Sequence, residues 1–230
     1  MSTVLAATAP GGPGLAVTDV AEWMSGVLNA SVLQVGASGR PDQAPDPDRV
    51  LAELDEPRSA LAVIPATALD QLAWPVVRRA RKPVVIVPGA LVEHGHWQLK
   101  RALIPLDGTA ESADAVTETV GLLSDAGVEL LVLHVFDAAT VPRFWDHPGH
   151  ADRVWQHEFL ARFCDRPGVR MQWRSGTPGE HVLDVAAAEH SDLIALGWSQ
   201  RLDAGHARTV RRTVELSPVP VLLLPTRTGQ

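Results

Sequence analysis

SDLIALGWSQRLDAGHARTVRRTVELSPVPVLLLP, residues 191–225, carries the pattern that decides the fold of this chain. Two short apolar runs, at 193–196 and 219–224, predict strands that are buried on both faces. Between them, residues 208–216 contain no Gly or Pro and have a helix-forming composition. Strand, helix and strand form the parallel crossover unit, and such sheets bind ligands at the carboxyl ends of their strands. We therefore expect an α/β protein with its site at that edge.

The composition of the 230 residues is that of a globular protein, with 46% hydrophobic and 20% charged residues. The net charge of -7, with basic clusters only at 78–82 and 208–212, argues against nucleic acid as a partner. The single cysteine, Cys164, excludes an internal disulfide and fits a reducing compartment. The sequence shows no signal peptide and no apolar run long enough for a membrane span. We expect a cytoplasmic protein that contacts no membrane.

The two halves of the chain repeat one order of elements. Apolar runs and helical spacing predict strand, helix and strand near the start of each half. Equivalent leucines are 28 positions apart in both cases, since Leu5 precedes Leu33 and Leu103 precedes Leu131 by the same spacing. Equal spacing with matched element types indicates two copies of one unit.

The later segments of the two halves also correspond. SALAVIP (59–65) matches SDLIALG (191–197), and KPVVIVP (82–88) matches VPVLLLP (219–225). Between the second strand and these segments, the first half has 23 residues and the second has 54, so only the second has room for an extra helix and strand. We expect two parallel sheets with flavodoxin-type strand order, the first one shortened. The predicted domains are 1–90 and 101–226, joined by a linker at 91–100.

Four segments of the second half resemble the universal stress protein family, in the family's own order. They are RALIPLDGTAESADAV (101–116), ELLVLHV (129–135), SGTPGEHVLDVAAAEHSDLIALG (175–197) and SPVPVLLLP (217–225). The resemblance covers residues 101–226 and implies Rossmann-like sheets of the adenine nucleotide alpha hydrolase type. The first half is then a shortened, degenerate copy. The resemblance also implies a role in stress response, a pseudo-dimer of the two copies and, between chains, a homodimer.

The resemblance further implies an adenine-nucleotide site, with ATP as the expected ligand. ATP-binding members carry Gly-x-x-Gly after the fourth strand and, further on, Gly-Ser or Gly-Thr at the start of the last helix. Such glycines let the backbone approach phosphates, whose charge the N–H groups of a helix N-terminus complement. Asp107 matches the acidic residue that contacts adenine or ribose in those relatives. The full predicted set is Pro105, Leu106, Asp107, Val135, Leu196, Gly197, Gly205 and Arg208.

This sequence departs from the glycine motif after Gly197. Gln200 stands where the second Gly belongs, and Ala207 and Arg208 stand where Gly-Ser or Gly-Thr belongs. Two interpretations remain open. In one, the second half binds an adenine nucleotide in a modified site, with Asp107 on the ribose and Arg208 on a phosphate. In the other, the chain is an interaction scaffold for a protein partner and binds no nucleotide.

Each of these residues has a simpler structural role as an alternative. Asp107 is placed to cap the helix that follows, and Arg208 belongs to a solvated helix face. In the first half, Thr8 replaces the acidic residue and residues 65–72 lack glycine, which favours a scaffold role. The sequence has no Gly-x-Ser-x-Gly elbow and no P-loop, so we predict no catalytic residue and at most weak ATP hydrolysis.

The segment 144–158 is rich in histidine, carboxylate and tryptophan. Its candidate metal ligands are Asp146, His147, His150, Asp152, His157 and Glu158, and the linker adds His94 and His96. His150 and His157 would lie two helical turns apart, too far to share one ion. We therefore interpret the segment as a solvated flap anchored by tryptophan and predict no metal. Four tryptophans, Trp145, Trp155, Trp173 and Trp198, either line an apolar pocket or partner surface near this flap, or pack in the core.

Overall fold

The computed structural model describes residues 2–8, 14–36, 45–66, 69–93, 97–136, 151–200 and 206–226. The first half contains strands β1 (Ser2–Ala7), β2 (Ala30–Val35), β3 (Ser59–Pro65) and β4 (Val84–Val87), with helices α1 (Gly14–Val27), α2 (Pro47–Asp55) and α3 (Trp74–Val77). The second half contains strands β5 (Arg101–Pro105), β6 (Glu129–Phe136), β7 (Arg170–Ser175), β8 (Leu193–Trp198) and β9 (Val221–Pro225), with helices α4 (Ala110–Asp125), α5 (Ala151–Phe163), α6 (Pro178–Ala188) and α7 (His206–Leu216).

The strands of the described residues form one nine-stranded sheet, in the order β2-β1-β3-β4-β9-β8-β5-β6-β7. Neighbouring strands are parallel except for β4 and β9, which are antiparallel. The α/β class is confirmed. The two sheets that we expected are continuous, because the last strands of the two halves pair edge to edge.

The strand order differs from our expectation in the second half. Counted within its own half, the first part of the sheet runs 2-1-3-4, which is the order of the second half without its outermost strand, because β3 and β4 match β8 and β9. The second part runs 3-2-1-4-5, which is the Rossmann order instead. The reason is that β8 occupies the position beside β5, so the extra strand β7 pairs on the outer edge of β6.

The helical segment before β4 is irregular. A π-helical turn at Leu69–Ala73 leads into the short α3. Pro75 lies in the first turn of α3 and has no N–H, so a regular ladder cannot run through it.

The repeat in the sequence is visible as equal strand register. Leu5 lies directly beside Leu33 in the β1–β2 pair, and Leu103 lies beside Leu131 in the β5–β6 pair. The equal spacing in the sequence is therefore the length of one strand–helix–strand crossover. The matched later segments agree as well, with the pairs Ala62–Val84 and Ile194–Val221 in the same register.

The β4–β9 pair joins the halves through a symmetrical contact. Its aligned pairs are Val84–Leu223, Val85–Leu222 and Ile86–Val221. By the matched segments, Val84 corresponds to Val221 and Ile86 to Leu223, so Val84 and Ile86 each pair with the counterpart of the other. Val85 pairs with its own counterpart, Leu222. This exchange is the pattern of a two-fold, isologous interface.

Two apolar layers cover the faces of the sheet. One contains side chains of α2, α3, α6 and α7, and the other contains side chains of α1, α4 and α5. Both layers extend across the two halves, so the buried core is continuous over the junction. None of the described helices is both long enough and apolar enough to cross a membrane.

Candidate functional site

Asp107 follows β5 at the carboxyl edge of the second half and is exposed. Its Oδ1 accepts hydrogen bonds from the backbone N–H of Thr109 (2.9 Å) and from the Thr109 hydroxyl (2.7 Å). Thr109 is the N-cap of α4, and its Oγ1 accepts a hydrogen bond from the N–H of Ser112 at 3.2 Å. Asp107 thus orients the capping threonine but does not cap the helix itself.

The residues predicted beside Asp107 belong to different layers of the core. Leu106 is only 3% exposed and packs in the layer of α1, α4 and α5, whereas Val135 packs against the opposite layer. The N–H of Leu106 donates to the carbonyl of Leu133 at 2.9 Å, which continues the β5–β6 pairing. Pro105 ends β5 and is half-buried. The structure therefore does not gather Leu106 and Val135 around one pocket.

His134 is the residue of this edge that sequence reasoning missed. It is 8% exposed, and the rings of Phe136, Phe159 and Trp155 surround it at centroid distances of 4.5, 4.9 and 5.6 Å. Its Nδ1 donates to the carbonyl of Leu106 at 2.8 Å. Burial lowers the pKa of His134, against the opposing effects of the Leu106 carbonyl and the Asp107 charge. A histidine within the apolar run ELLVLHV was the available signal.

Gly108 lies against His134 in a backbone conformation that favours glycine. Its φ is +82°, and a Cβ at this position would lie 3.4 Å from His134 Cε1 and 3.5 Å from the Phe159 ring, which are ordinary contacts. Glycine is therefore favoured here by the left-handed backbone of the loop and not by a lack of space.

The strand that precedes the expected phosphate loop is longer than predicted. Leu196 is buried, and β8 continues through Gly197 and Trp198, which pair with Leu224 and Pro225. A Cβ on Gly197 would lie 3.5 Å from Ser112 Cα, an ordinary contact with the start of α4. Gly197 therefore belongs to a paired strand packed against a helix and does not begin an open loop.

Trp198 and Gln200 connect the second half to the first. The indole N–H of Trp198, a 2% exposed side chain, donates to the Val77 carbonyl at 3.2 Å, and the Gln200 side-chain amide donates to the Ala80 carbonyl. Gln200 has a φ of +62°, the left-handed conformation that glycine adopts most easily. Gln200 therefore has the backbone conformation expected of the glycine that it replaces, but its side chain forms a hydrogen bond with the first half of the chain.

The start of α7 carries no glycine pair at the described positions. Ala207 is 4% exposed and packs in the core, whereas Arg208 is exposed and makes no ion pair with a described residue. Two other arginines of this helix contact protein groups: Arg211 lies over the Trp74 ring at 5.8 Å, and Arg212 lies 3.9 Å from a carboxylate oxygen of Glu180. Gly205 lies outside the described residues.

The described tryptophans pack in the protein and do not share one pocket. Trp198 lies in the layer of α6 and α7, whereas Trp155 packs against the opposite layer, 4.9 Å from the Phe136 ring. Trp173 lies 6.3 Å from Phe136. Trp145 lies outside the described residues, as do Asp146, His147, His150, His94 and His96. Within the described ranges, no group of three His, Cys, Asp or Glu residues could hold a metal ion.

The Rossmann-like sheet, with Asp107 at its carboxyl edge, is typical of the α/β proteins whose ligands bind at the carboxyl ends of parallel strands. The model of the universal stress protein family matches residues 98–225, which is more than half of the chain. The chain belongs to the universal stress protein family. No curated protein matches the sequence.

Solved structures of the same family share the fold. A putative universal stress protein from Pseudomonas aeruginosa UCBPP-PA14 covers 98% of this chain and 94% of its own, with 16% identity and a TM-score of 0.67. A universal stress protein from Archaeoglobus fulgidus DSM 4304 covers 93% of this chain and 79% of its own, with 18% identity and a TM-score of 0.56. A universal stress protein in complex with cAMP covers 56% of this chain and 98% of its own, with 16% identity and a TM-score of 0.43. At these identities the likeness to the Pseudomonas and Archaeoglobus proteins concerns the fold alone.

Proposed function

We propose that this chain is a non-catalytic universal stress protein that acts as an interaction scaffold. Its two domains, 1–90 and 101–226 with a linker at 91–100, form a fixed pseudo-dimer. One observation carries the proposal: Trp198 and Gln200, at the position of the phosphate loop, donate hydrogen bonds to carbonyls of the first half.

Phosphate binding by a loop needs backbone N–H groups that point at the ligand and glycines that allow close approach. Here the backbone of Gly197 and Trp198 pairs with β9, and Ala207 is packed in the core. These positions stabilise the junction between the halves, and that use competes with binding of a nucleotide.

A modified adenine-nucleotide site is the second candidate function. The observation that favours it is the exposure of both Asp107 and Arg208. Asp107 follows β5, and Arg208 lies in the first turn of α7, the helix that follows β8. Because β5 and β8 are parallel neighbours, both residues belong to the carboxyl edge. A ribose hydroxyl on Asp107 and a phosphate on Arg208 are the contacts that this arrangement offers.

Calorimetric titration with ATP, ADP, AMP and cAMP separates the two functions. The scaffold function predicts no binding tighter than the millimolar range, for the wild type and for Asp107→Ala alike. Micromolar binding that Asp107→Ala abolishes would establish the nucleotide site and refute the scaffold reading. Asp125→Ala, an exposed carboxylate at the other end of α4, is the matched control. With ATP and Mg²⁺, the wild type should release phosphate no faster than the Asp107→Ala variant.

A cytoplasmic location and a homodimer of the whole chain are also proposals. The first rests on the single cysteine and the composition, and the second on the resemblance to the family.

A further inference from the structure

A groove of about 700 Å³ lies between α1 and α4, at the junction of the two halves. Leu222 and Leu224 of β9 line it from the second half, and Leu61 and Pro83 line it from the first. On the opposite face of the sheet, Arg211 of α7 lies over the Trp74 ring of α3, so helices of the two halves are in contact there. The face with α1 and α4 is thus the open face of the junction.

The two helical walls of the groove differ in chemistry. The wall from α1 is apolar and consists of Met24, Val27 and Leu28. The wall from α4 carries Glu111, Asp114 and Glu118, whose spacing of three and four residues places them on one face of the helix. Among the described residues, the lining contains one basic side chain, Arg81 of the first half, so the acidic side chains outnumber it. All three carboxylates are exposed, and none forms an ion pair with a described residue.

The fold itself gives little reason for these three charges. Glu111 lies in the first turn of α4, where a negative charge is favourable at a helix N-terminus. Asp114 and Glu118 lie beyond that turn, and like charges four residues apart destabilise a helix by about 0.2–0.5 kcal/mol. A cationic partner in the groove would turn this repulsion into attraction.

We propose that this groove binds a basic amphipathic segment of a partner protein. The wall from Glu111 to Leu122 is about 17 Å long, or roughly three turns of a bound helix. Such a helix would place its apolar side chains against Val27 and Leu28 of α1, which are half-buried, and its Lys or Arg side chains against α4. The net charge of -7 favours a basic partner over a second copy of this chain. The proposal deepens the scaffold function and rests on it.

The test uses the full chain and a labelled peptide of about 12 residues, roughly 18 Å as a helix, in which Leu and Lys occupy opposite faces. Fluorescence anisotropy should show saturable binding that weakens with added salt. A triple variant, Glu111→Gln, Asp114→Asn and Glu118→Gln, should weaken binding by about tenfold or more, since about 1.4 kcal/mol of lost charge pairing gives that factor.

The control variant removes the same charge away from the groove, with Asp55→Asn, Asp184→Asn and Glu215→Gln, all exposed in the wild type. It should bind the peptide as the wild type does. Circular dichroism and thermal melts establish that both triple variants fold. Hydrogen exchange should show peptide-dependent protection in α1 and α4.

Four results would overturn the proposal: no saturable binding of the peptide, equal losses in the two triple variants, equal binding of a peptide with the same residues in scrambled order, or a dimer in sedimentation that only the groove variant abolishes. The last result would assign the groove to a second copy of the chain. The nucleotide titration tests the scaffold function, whereas the peptide assay tests the groove. If neither nucleotide nor peptide binds, the scaffold function stands and its contact surface is not this groove.

Discussion

Truncation of Trp198 to alanine should loosen the first half of the protein as well as the second. The side chain is 2% exposed, and its indole N–H reaches the Val77 carbonyl across the junction. Removal of a buried tryptophan costs about 3–5 kcal/mol. Trp198→Phe keeps most of the apolar ring but leaves the carbonyl without its donor, for an expected cost of about 1–2 kcal/mol. The difference between the two variants separates packing from the hydrogen bond.

Urea unfolding and native-state hydrogen exchange measure the effect. Because the sheet and both core layers cross the junction, we expect one cooperative unfolding transition with a lowered midpoint. Exchange should accelerate in residues 76–80 of the first half as much as in β8.

The control is Trp155→Ala, whose described ring contacts are all with residues of the second half. It should destabilise the protein without selectively exposing residues 76–80. Unchanged exchange at residues 76–80 in Trp198→Ala would refute the view that this side chain couples the halves.

Three further predictions concern the second half. Gly108→Ala and Gly168→Ala should each lose about 1–2 kcal/mol in thermal melts, because both residues have a φ near +80° and a Cβ at Gly108 would make only ordinary contacts; a much larger loss in Gly108→Ala alone would contradict this. Burial lowers the pKa of His134, so the unfolded chain binds the proton more readily, and the free energy of unfolding should fall as the pH drops below 6.5; His134→Gln should flatten this dependence in urea titrations on both sides of that pH. Hydrogen bonds from Arg101, and then from Arg170, lower the pKa of Glu129, so its contribution to the free energy of unfolding is present above pH 4.5 and is lost as the pH falls below that value. At neutral pH, Glu129→Gln should lower the free energy of unfolding by less than about 1 kcal/mol, because the side chain is 39% exposed. A loss of the same size at low pH would contradict this ion-pair role.

The elements of the fold could be predicted from the sequence because their signals are local. Apolar runs gave the strands, and the spacing of Leu5–Leu33 and Leu103–Leu131 corresponds to pairs that lie side by side in the sheet. The longer second half correctly indicated an extra helix and strand. The position of Asp107 at the carboxyl edge was also predictable, because a parallel crossover places the end of β5 there.

The contacts of the candidate site were less predictable. The replacement of glycine by Gln200 is visible in the sequence, but its left-handed backbone and its bond to Ala80 depend on a residue 120 positions away. The same is true of Trp198, whose partner Val77 is 121 positions away. Sequence alone therefore showed that the phosphate motif is altered but not what the altered residues contact.

The sequence by itself determined the α/β class, the repeated unit and the loss of the glycine motif in residues 191–225. Only the tertiary structure decided that the two halves share one sheet, that β7 lies outside β6, and that the altered loop residues bind the first half. The physical reason is that helix and strand formation depend on residues near in sequence, whereas pairing between β4 and β9 depends on backbone groups that every strand edge presents alike.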